Sequence, residues 1–155
     1  MKLSKKITIY FLFFATAFSL SAIAQTNETA VVDRGTYYQR GEVNHAVLHV
    51  LKLMDAGDYA NLSSQTSRIA TKDMSEEASQ SVLKGIRAAF GTYKDRVEER
   101  IGFSSKMLTG ETGKFYAVVF KSEFASMVVE EKVIMSLEDG QWKLAGYFLQ
   151  PYRTK

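Results

Sequence analysis

Hydrophobic positions in the first half of the chain repeat with the period of an α-helix. Between residues 42 and 56 apolar side chains recur every three or four positions, and Gly57 follows as a stop signal. Asp58 is suited to cap a short second helix that carries Tyr59 and Leu62. The pattern therefore predicts two helices in close succession.

A third helix is indicated further along. Asp73 and Glu76 have the spacing of a capping box, and Gly91 is placed to end the helix. Between these signals the apolar residues form one helical stripe, made of Val82, Leu83, Ile86, Ala89 and Phe90.

The second half of the chain changes to a period of two, which is typical of strands. Residues 95–108 alternate, with Val97, Ile101, Phe103 and Met107 as the apolar members, and residues 114–125, 128–138 and 141–150 give three further strands. Helices followed by a run of strands predict an α+β domain, with helices on one face of a curved four-stranded antiparallel meander.

The register of the last hairpin can be derived from its turn. A two-residue turn at 139–140 pairs Leu137 with Trp142 and, further along, Val133 with Gly146. Cross-strand partners share a face, so the most apolar residues of both strands lie together. An even-length turn near Ser126 extends this predicted core face to Tyr116, Val118, Phe120 and Phe124.

Three segments carry a family resemblance: VLKLMDAGDYANL, FKSEFASMVVEEKVIMSLEDG and GQWKLAGYF. Over residues 45–148 the chain resembles the bacterial exported family known as domain of unknown function 4019. The resemblance implies a cystatin-like fold, similar to nuclear transport factor, in which helices cover a curved sheet. It implies no established activity, so no functional residue is carried over from it.

Ser122 and Glu131 break the apolar pattern of the core face. In the predicted register they are direct partners, and Phe148 lies beside Glu131 on the next strand. Carboxylates on apolar surfaces can act as general acids or bases. The interpretation preferred here is that this end of the sheet extends beyond the helices and leaves Glu131 in water.

A ligand cavity between sheet and helices is the alternative, since cone-like folds often enclose one. Its candidate binding residues are Tyr116, Phe120, Ser122, Glu131 and Phe148. Glu131 is then also the weak catalytic candidate, although no proton partner is evident for it.

The first residues have the pattern of an export signal. Three lysines precede an apolar run at 7–20, and small residues lead up to Gln25. The run is shorter than the roughly 20 residues that span a bilayer. We therefore expect cleavage after Ala24, periplasmic or secreted protein, and no stable membrane anchor. Residues 25–40 are read as a polar linker or arm, and residues 41–152 as one domain.

Removal of residues 1–24 leaves 17 basic and 17 acidic residues, because three of the 20 Lys and Arg lie in the signal. The basic character belongs to the leader, and no nucleic-acid partner is expected. The chain has no cysteine, so it has no disulfide or thiolate chemistry.

His45 and His49 have the helical spacing of metal ligands, but both fall on the polar side of the first helix near Lys52. The sequence accordingly predicts no metal and no cofactor. No serine lies in the Gly-x-Ser-x-Gly pattern of a nucleophile elbow, so a hydrolase of that kind is not indicated.

Three functions remain open. The first is a non-enzymatic module that binds a small apolar ligand or a protein partner. The second is an isomerase- or hydrolase-like enzyme that uses Glu131. The third is an envelope-interaction protein that works through the outer sheet face, where Lys132 and Tyr147 are predicted to pair. A homodimer through that face is a further option.

Overall fold

The computed structural model describes residues 35–153. The predicted export signal and residues 25–34 of the predicted arm lie outside this range. Seven elements follow in order: α1 (Tyr37–Asp55), α2 (Tyr59–Ser63), α3 (Glu76–Phe90), β1 (Tyr93–Lys106), β2 (Thr112–Phe124), β3 (Val128–Glu138) and β4 (Gln141–Pro151). Within the described residues, no helix has the length and apolar character needed to cross a membrane.

Helix α1 begins earlier than its apolar pattern indicated. Thr36 accepts a hydrogen bond from the Gln39 backbone at 3.1 Å, and the Gln39 side chain accepts one from the Thr36 backbone at 3.0 Å. This reciprocal capping box starts the helix at Tyr37. The arm predicted for residues 25–40 therefore does not extend past Thr36.

The caps of the other two helices agree with the sequence in part. Asp58 caps α2, as predicted, by accepting a hydrogen bond from the Asn61 backbone at 3.2 Å. Helix α3 is capped by Ser75 and not by Asp73, since Ser75 accepts from the Ala78 backbone at 3.2 Å.

The four strands form one open antiparallel sheet in the order β1-β2-β3-β4, which confirms the predicted α+β class and meander. The core lies between this sheet and α1 with α2. Trp142 is in the core, as predicted, and is 8% exposed. Its ring packs edge-on against Tyr116 with centroids 5.3 Å apart.

The β3–β4 hairpin has the predicted turn, but the predicted register holds over only part of its length. Asp139 and Gly140 have positive φ values of 50° and 77°, and Leu137 pairs with Trp142. Beyond Leu144 a β-bulge adds one residue to β4, so Val133 pairs with Tyr147 and not with Gly146.

This bulge exchanges the faces of two aromatic residues. Because side chains alternate along a strand, one extra residue turns every later side chain to the opposite face. Tyr147, predicted to be on the outer face, is buried in the core. Phe148, predicted to lie beside Glu131, pairs with Lys132 and is 37% exposed.

The β2–β3 pairing differs from the prediction by two residues. Glu131 is opposite Phe120, and Ser122 is opposite Val129. The difference arises because the turn lies one residue earlier than predicted: Phe124 N donates to the Met127 carbonyl at 3.0 Å, which closes the turn around Ala125 and Ser126. A shift of two residues preserves the face, so the predicted core residues of β2 remain buried: Tyr116, Val118, Phe120 and Phe124.

Strand β1 has a second face exchange. A register shift between Glu98 and Arg100 interrupts its alternation. Before that shift Arg96 pairs with core-facing Ser122, whereas Val97, expected in the core, is 60% exposed.

Candidate functional site

Glu131 lies at the centre of the candidate site. It is completely buried, so the preferred interpretation that it stays in water is wrong. A buried carboxylate is tolerated only when it is paired and hydrogen-bonded. Its surroundings supply those partners.

Four side chains contact the Glu131 carboxylate. On Oε1 it accepts hydrogen bonds from Arg87 Nη1 at 3.0 Å and from the Tyr147 hydroxyl at 2.6 Å. On Oε2 it accepts one from Ser122 Oγ at 2.6 Å. Arg96 Nε lies 3.2 Å from Oε2, an ion-pair contact that is not aligned as a hydrogen bond.

A second carboxylate joins the two arginines. Asp55, at the end of α1, pairs with Arg87 Nη2 and accepts a hydrogen bond from Arg96 Nη2 at 3.0 Å. We call Asp55, Arg87, Arg96 and Glu131 the charge network. Its two acidic and two basic members cancel in formal charge, which lowers the cost of burying them.

Aromatic rings fix the two guanidinium groups. Arg87 lies over the Phe124 ring, 4.8 Å from its centroid, and Arg96 lies over the Tyr93 ring at 4.0 Å. Arg87 Nη1 also donates to the Tyr147 oxygen at 2.8 Å. The network thus connects helices α1 and α3 to all four strands.

Tyr147 is held as a neutral phenol. Burial and the neighbouring negative charge of Glu131 raise the pKa of Tyr147 well above its ordinary value, although Arg87 acts in the opposite direction. The phenol therefore keeps its proton to donate to Glu131 at every physiological pH.

The close contacts on both oxygens of Glu131 limit its chemistry. A carboxylate has about four acceptor positions, and here each oxygen is in contact with two donors. A general base needs a position within hydrogen-bond reach of the substrate proton. The geometry favours a structural role for this carboxylate.

Helix α3 is attached to the domain in an unusual way. Arg87 is its only buried residue. The predicted apolar stripe is present, but Ala89 is exposed and its other members, Val82, Leu83, Ile86 and Phe90, are only half-buried. The only fully buried anchor of the helix is thus a charged residue, and weaker attachments come from the partly buried Leu83 and Ile86 and from hydrogen bonds that Ser126 donates to the Phe90 carbonyl.

Two clefts flank this helix. One, of about 340 Å³, lies between α2, the 64–75 connection and the first half of α3, and includes Leu62, Met74 and Leu83 in its walls. The other, of about 350 Å³, lies beside the second half of α3. We call the second one the α3–β1 cleft; its lining consists of Asp55, Tyr59, Lys84, Arg87, Ala88, Gly91, Thr92 and Tyr93.

The sequence-derived binding residues lie elsewhere. Tyr116, Phe120, Ser122 and Glu131 are all buried on the core face, and Ser122 and Glu131 are in contact as the pattern suggested. Phe148 is on the outer face. None of the five lines either cleft.

A separate polar cluster secures the connection between α2 and α3. Ser67 is fully buried and donates to Glu138, which also accepts from Ser136 at 3.0 Å. Burial alone would raise the pKa of Glu138, but hydrogen bonds from Ser67, the Arg68 backbone and Ser136 outweigh it and hold that pKa below its ordinary value. The cluster holds the α2–α3 connection against the β3–β4 turn through hydrogen bonds to Glu138.

His45 and His49 are both exposed on α1. In the part of the chain that the structure covers, no three His, Cys, Asp or Glu side chains gather as metal ligands would.

Sequence reasoning missed Asp55, Arg87, Arg96 and Tyr147. Arg87 carried a signal, because it is a charged residue at stripe spacing between Leu83 and Phe90. Arg96 and Tyr147 carried none, since bulges place both on the core face.

Helices on one face of an open four-stranded meander define the class of this domain, and a solved structure shares it. The 1.8 Å structure of Aln2 from a Streptomyces species matches with a TM-score of 0.50 and 11% identity, over 76% of this chain and 94% of that chain. At this identity the likeness concerns the fold alone. None of the curated proteins matches.

The family model described as Protein of unknown function (DUF4019) matches residues 46–147. The chain belongs to this family, which confirms the resemblance drawn from its three sequence segments.

Proposed function

We propose that this protein is an exported, non-enzymatic module that binds a small, partly apolar ligand beside helix α3. The observation that carries the proposal is the incomplete packing of α3 against the core. Four of its apolar residues are only half-buried, and a cleft lies on either side of the helix. Ligand sites are concave, mostly apolar and equipped with a few polar groups. Both clefts are at the small end of this size range, and each combines a few apolar or aromatic side chains with several polar ones.

The enzymatic alternative, with Glu131 as general base, has less support. Its carboxylate is completely buried and already accepts three hydrogen bonds, with an ion-pair contact to Arg96 in addition. A substrate would have to displace an arginine, the Tyr147 hydroxyl or Ser122 to reach it.

The outer-face alternative rests on Phe148 and Val128, each 37% exposed. Such isolated apolar residues are common on monomer surfaces. If they mediate a homodimer or an envelope contact, Phe148→Ser should abolish an association measurable by analytical ultracentrifugation.

Native mass spectrometry of protein purified from its own host tests the binding proposal. We expect a co-purified small molecule, and Ala88→Trp should reduce its occupancy by filling the α3–β1 cleft. Ala89→Trp is the matched control, because Ala89 is also exposed on α3 but lines neither cleft. Equal ligand occupancy in both variants would show that the ligand binds outside this cleft. If no small molecule is retained at all, the binding proposal is contradicted.

Export is a separate part of the proposal, supported by the leader-like pattern of residues 1–24. N-terminal sequencing of the extracytoplasmic protein should begin at Gln25. An intact Met1 in a membrane fraction would contradict cleavage.

A further inference from the structure

The α3–β1 cleft is shallow and open to solvent, and the two aromatic rings in its lining are already fixed in place. Tyr59 is 7% exposed, and the Tyr93 ring is held by the Arg96 guanidinium 4.0 Å from its centroid. Rigid aromatic walls favour a flat apolar ligand body, which they can contact without losing side-chain freedom. The volume of about 350 Å³ is at the small end of ligand sites.

The charges around the cleft do not balance. Asp55 and Arg87 in its lining belong to the charge network, whose formal charges cancel. Lys84 adds one positive charge. Its ammonium lies 5.4 Å from the Tyr59 ring centroid, and it forms no ion pair with any acid in the described chain. The cleft therefore has a surplus of one positive charge.

The network also sets an upper limit on ligand charge. Both terminal nitrogens of Arg87 are already paired with carboxylates, so Lys84 is the cation left for an incoming anion. The Asp55 side chain is 18% exposed at the same cleft and repels negative charge. A singly charged anion fits this arrangement better than a dianion.

We infer that the α3–β1 cleft binds small ligands that carry one negative charge on a flat apolar body, with Lys84 at the anionic group and the Tyr59 and Tyr93 rings at the body. This inference rests on the proposed binding function and adds the ligand class. A carboxylate and a singly charged phosphate or sulfonate share the required chemistry.

Two fluorescent probes of nearly identical shape test the charge requirement. Anilinonaphthalene sulfonate carries one negative charge, and phenylnaphthylamine is the same ring system without it. Titration of the folded protein should give tighter binding of the sulfonate. Lys84→Gln should weaken the binding of the sulfonate by about three- to fivefold, the contribution of a solvent-exposed ion pair. The affinity for phenylnaphthylamine should not change.

Lys132→Gln is the matched control, because Lys132 also lies near an aromatic ring, 5.9 Å from the Phe148 centroid, but outside the cleft. It should leave both affinities unchanged. Amide shifts of Ala88, Gly91 and Thr92 on addition of probe should place the binding in this cleft, and circular dichroism confirms that each variant is folded.

The outcomes separate the two proposals. Equal affinities for the probes, or a sulfonate affinity that Lys84→Gln does not change, would overturn the charge inference while the binding function stands. If neither probe binds in the α3–β1 cleft, both the binding function and the charge inference are overturned for this cleft. Benzoate and diphenyl phosphate, a diester that carries one negative charge at neutral pH, serve as competitors that then distinguish carboxylate from phosphate ligands.

Discussion

Helices α1 and α3 both carry apolar residues at helical spacing, but they join the domain in opposite ways. Helix α1 places five apolar residues in the core: Val43, Val47, Val50, Leu51 and Met54. Helix α3 buries only Arg87. One helix is held by a continuous apolar surface, and the other mainly by the ion pairs of Arg87, with partly buried apolar contacts and hydrogen bonds from Ser126 to the Phe90 carbonyl in addition.

This difference has a consequence for stability and function. Apolar burial in α1 extends from Val43 to Met54, so this part of the helix should open only when the domain unfolds. With only Arg87 fully buried, most of α3 should move away from the core at lower cost. This difference is the reason for proposing ligand binding at α3, which has a cleft on each side, and structural support at α1.

The largest expected effect comes from removal of the α3 anchor. Arg87→Met leaves Glu131 and Asp55 with one cation fewer in a buried setting, and should reduce the free energy of unfolding by about 3–5 kcal/mol. Arg68→Met is the control, since the Arg68 side chain is 76% exposed in its ion pairs, and should cost less than about 1 kcal/mol. Urea denaturation measures both; equal costs would show that the network does not hold α3.

Leucine truncations compare the two helices directly. Leu51→Ala in α1 removes a fully buried side chain and should cost about 2–5 kcal/mol. Leu83→Ala in α3 removes a half-buried one and should cost about 1 kcal/mol or less. Chemical denaturation gives both values. If Leu83→Ala lowers the free energy of unfolding as much as Leu51→Ala does, α3 is not packed more weakly than α1.

Tyr147→Phe should have a smaller effect, with a dependence on pH. Loss of a buried hydroxyl that donates to Glu131 and accepts from Arg87 should cost about 1–3 kcal/mol near neutral pH. The pKa of Tyr147 is raised on folding by burial and by Glu131, so its contribution is complete below the unfolded value of about 10 and is lost as pH rises above it.

The stability difference between the wild type and Tyr147→Phe should therefore shrink in alkaline solution. Unfolding curves from neutral pH to above pH 10 measure this. A difference that stays constant throughout would mean that the phenol does not resist deprotonation in the folded protein.

The architecture could be predicted from the sequence because the spacing of apolar residues extends over whole helices and strands and tolerates single exceptions. The change from helical to strand period, the turn at Asp139 and Gly140, and the α2 cap at Asp58 all depend on local chemistry that one sequence carries. These features agree with the structure in element order, sheet topology and the core position of Trp142.

The site was predicted only in part, and β-bulges are the main reason. Ser122 and Glu131 were identified as polar breaks in an apolar face, and they are in contact. A bulge changes the parity of a strand by one residue without a distinct residue pattern, so strict alternation assigned Tyr147 and Arg96 to the wrong face. The partners that allow Glu131 to be buried were consequently not visible.

Native-state hydrogen exchange tests the central claim, that α3, with Arg87 as its only fully buried residue, is held more weakly than the core-packed α1. We predict that α3 amides exchange through a local opening, at least about 2 kcal/mol below global unfolding and nearly independent of low denaturant. Amides of α1 should exchange only through global unfolding. If both helices show the same opening free energy and the same denaturant dependence, α3 is an integral part of the core and the central claim is wrong.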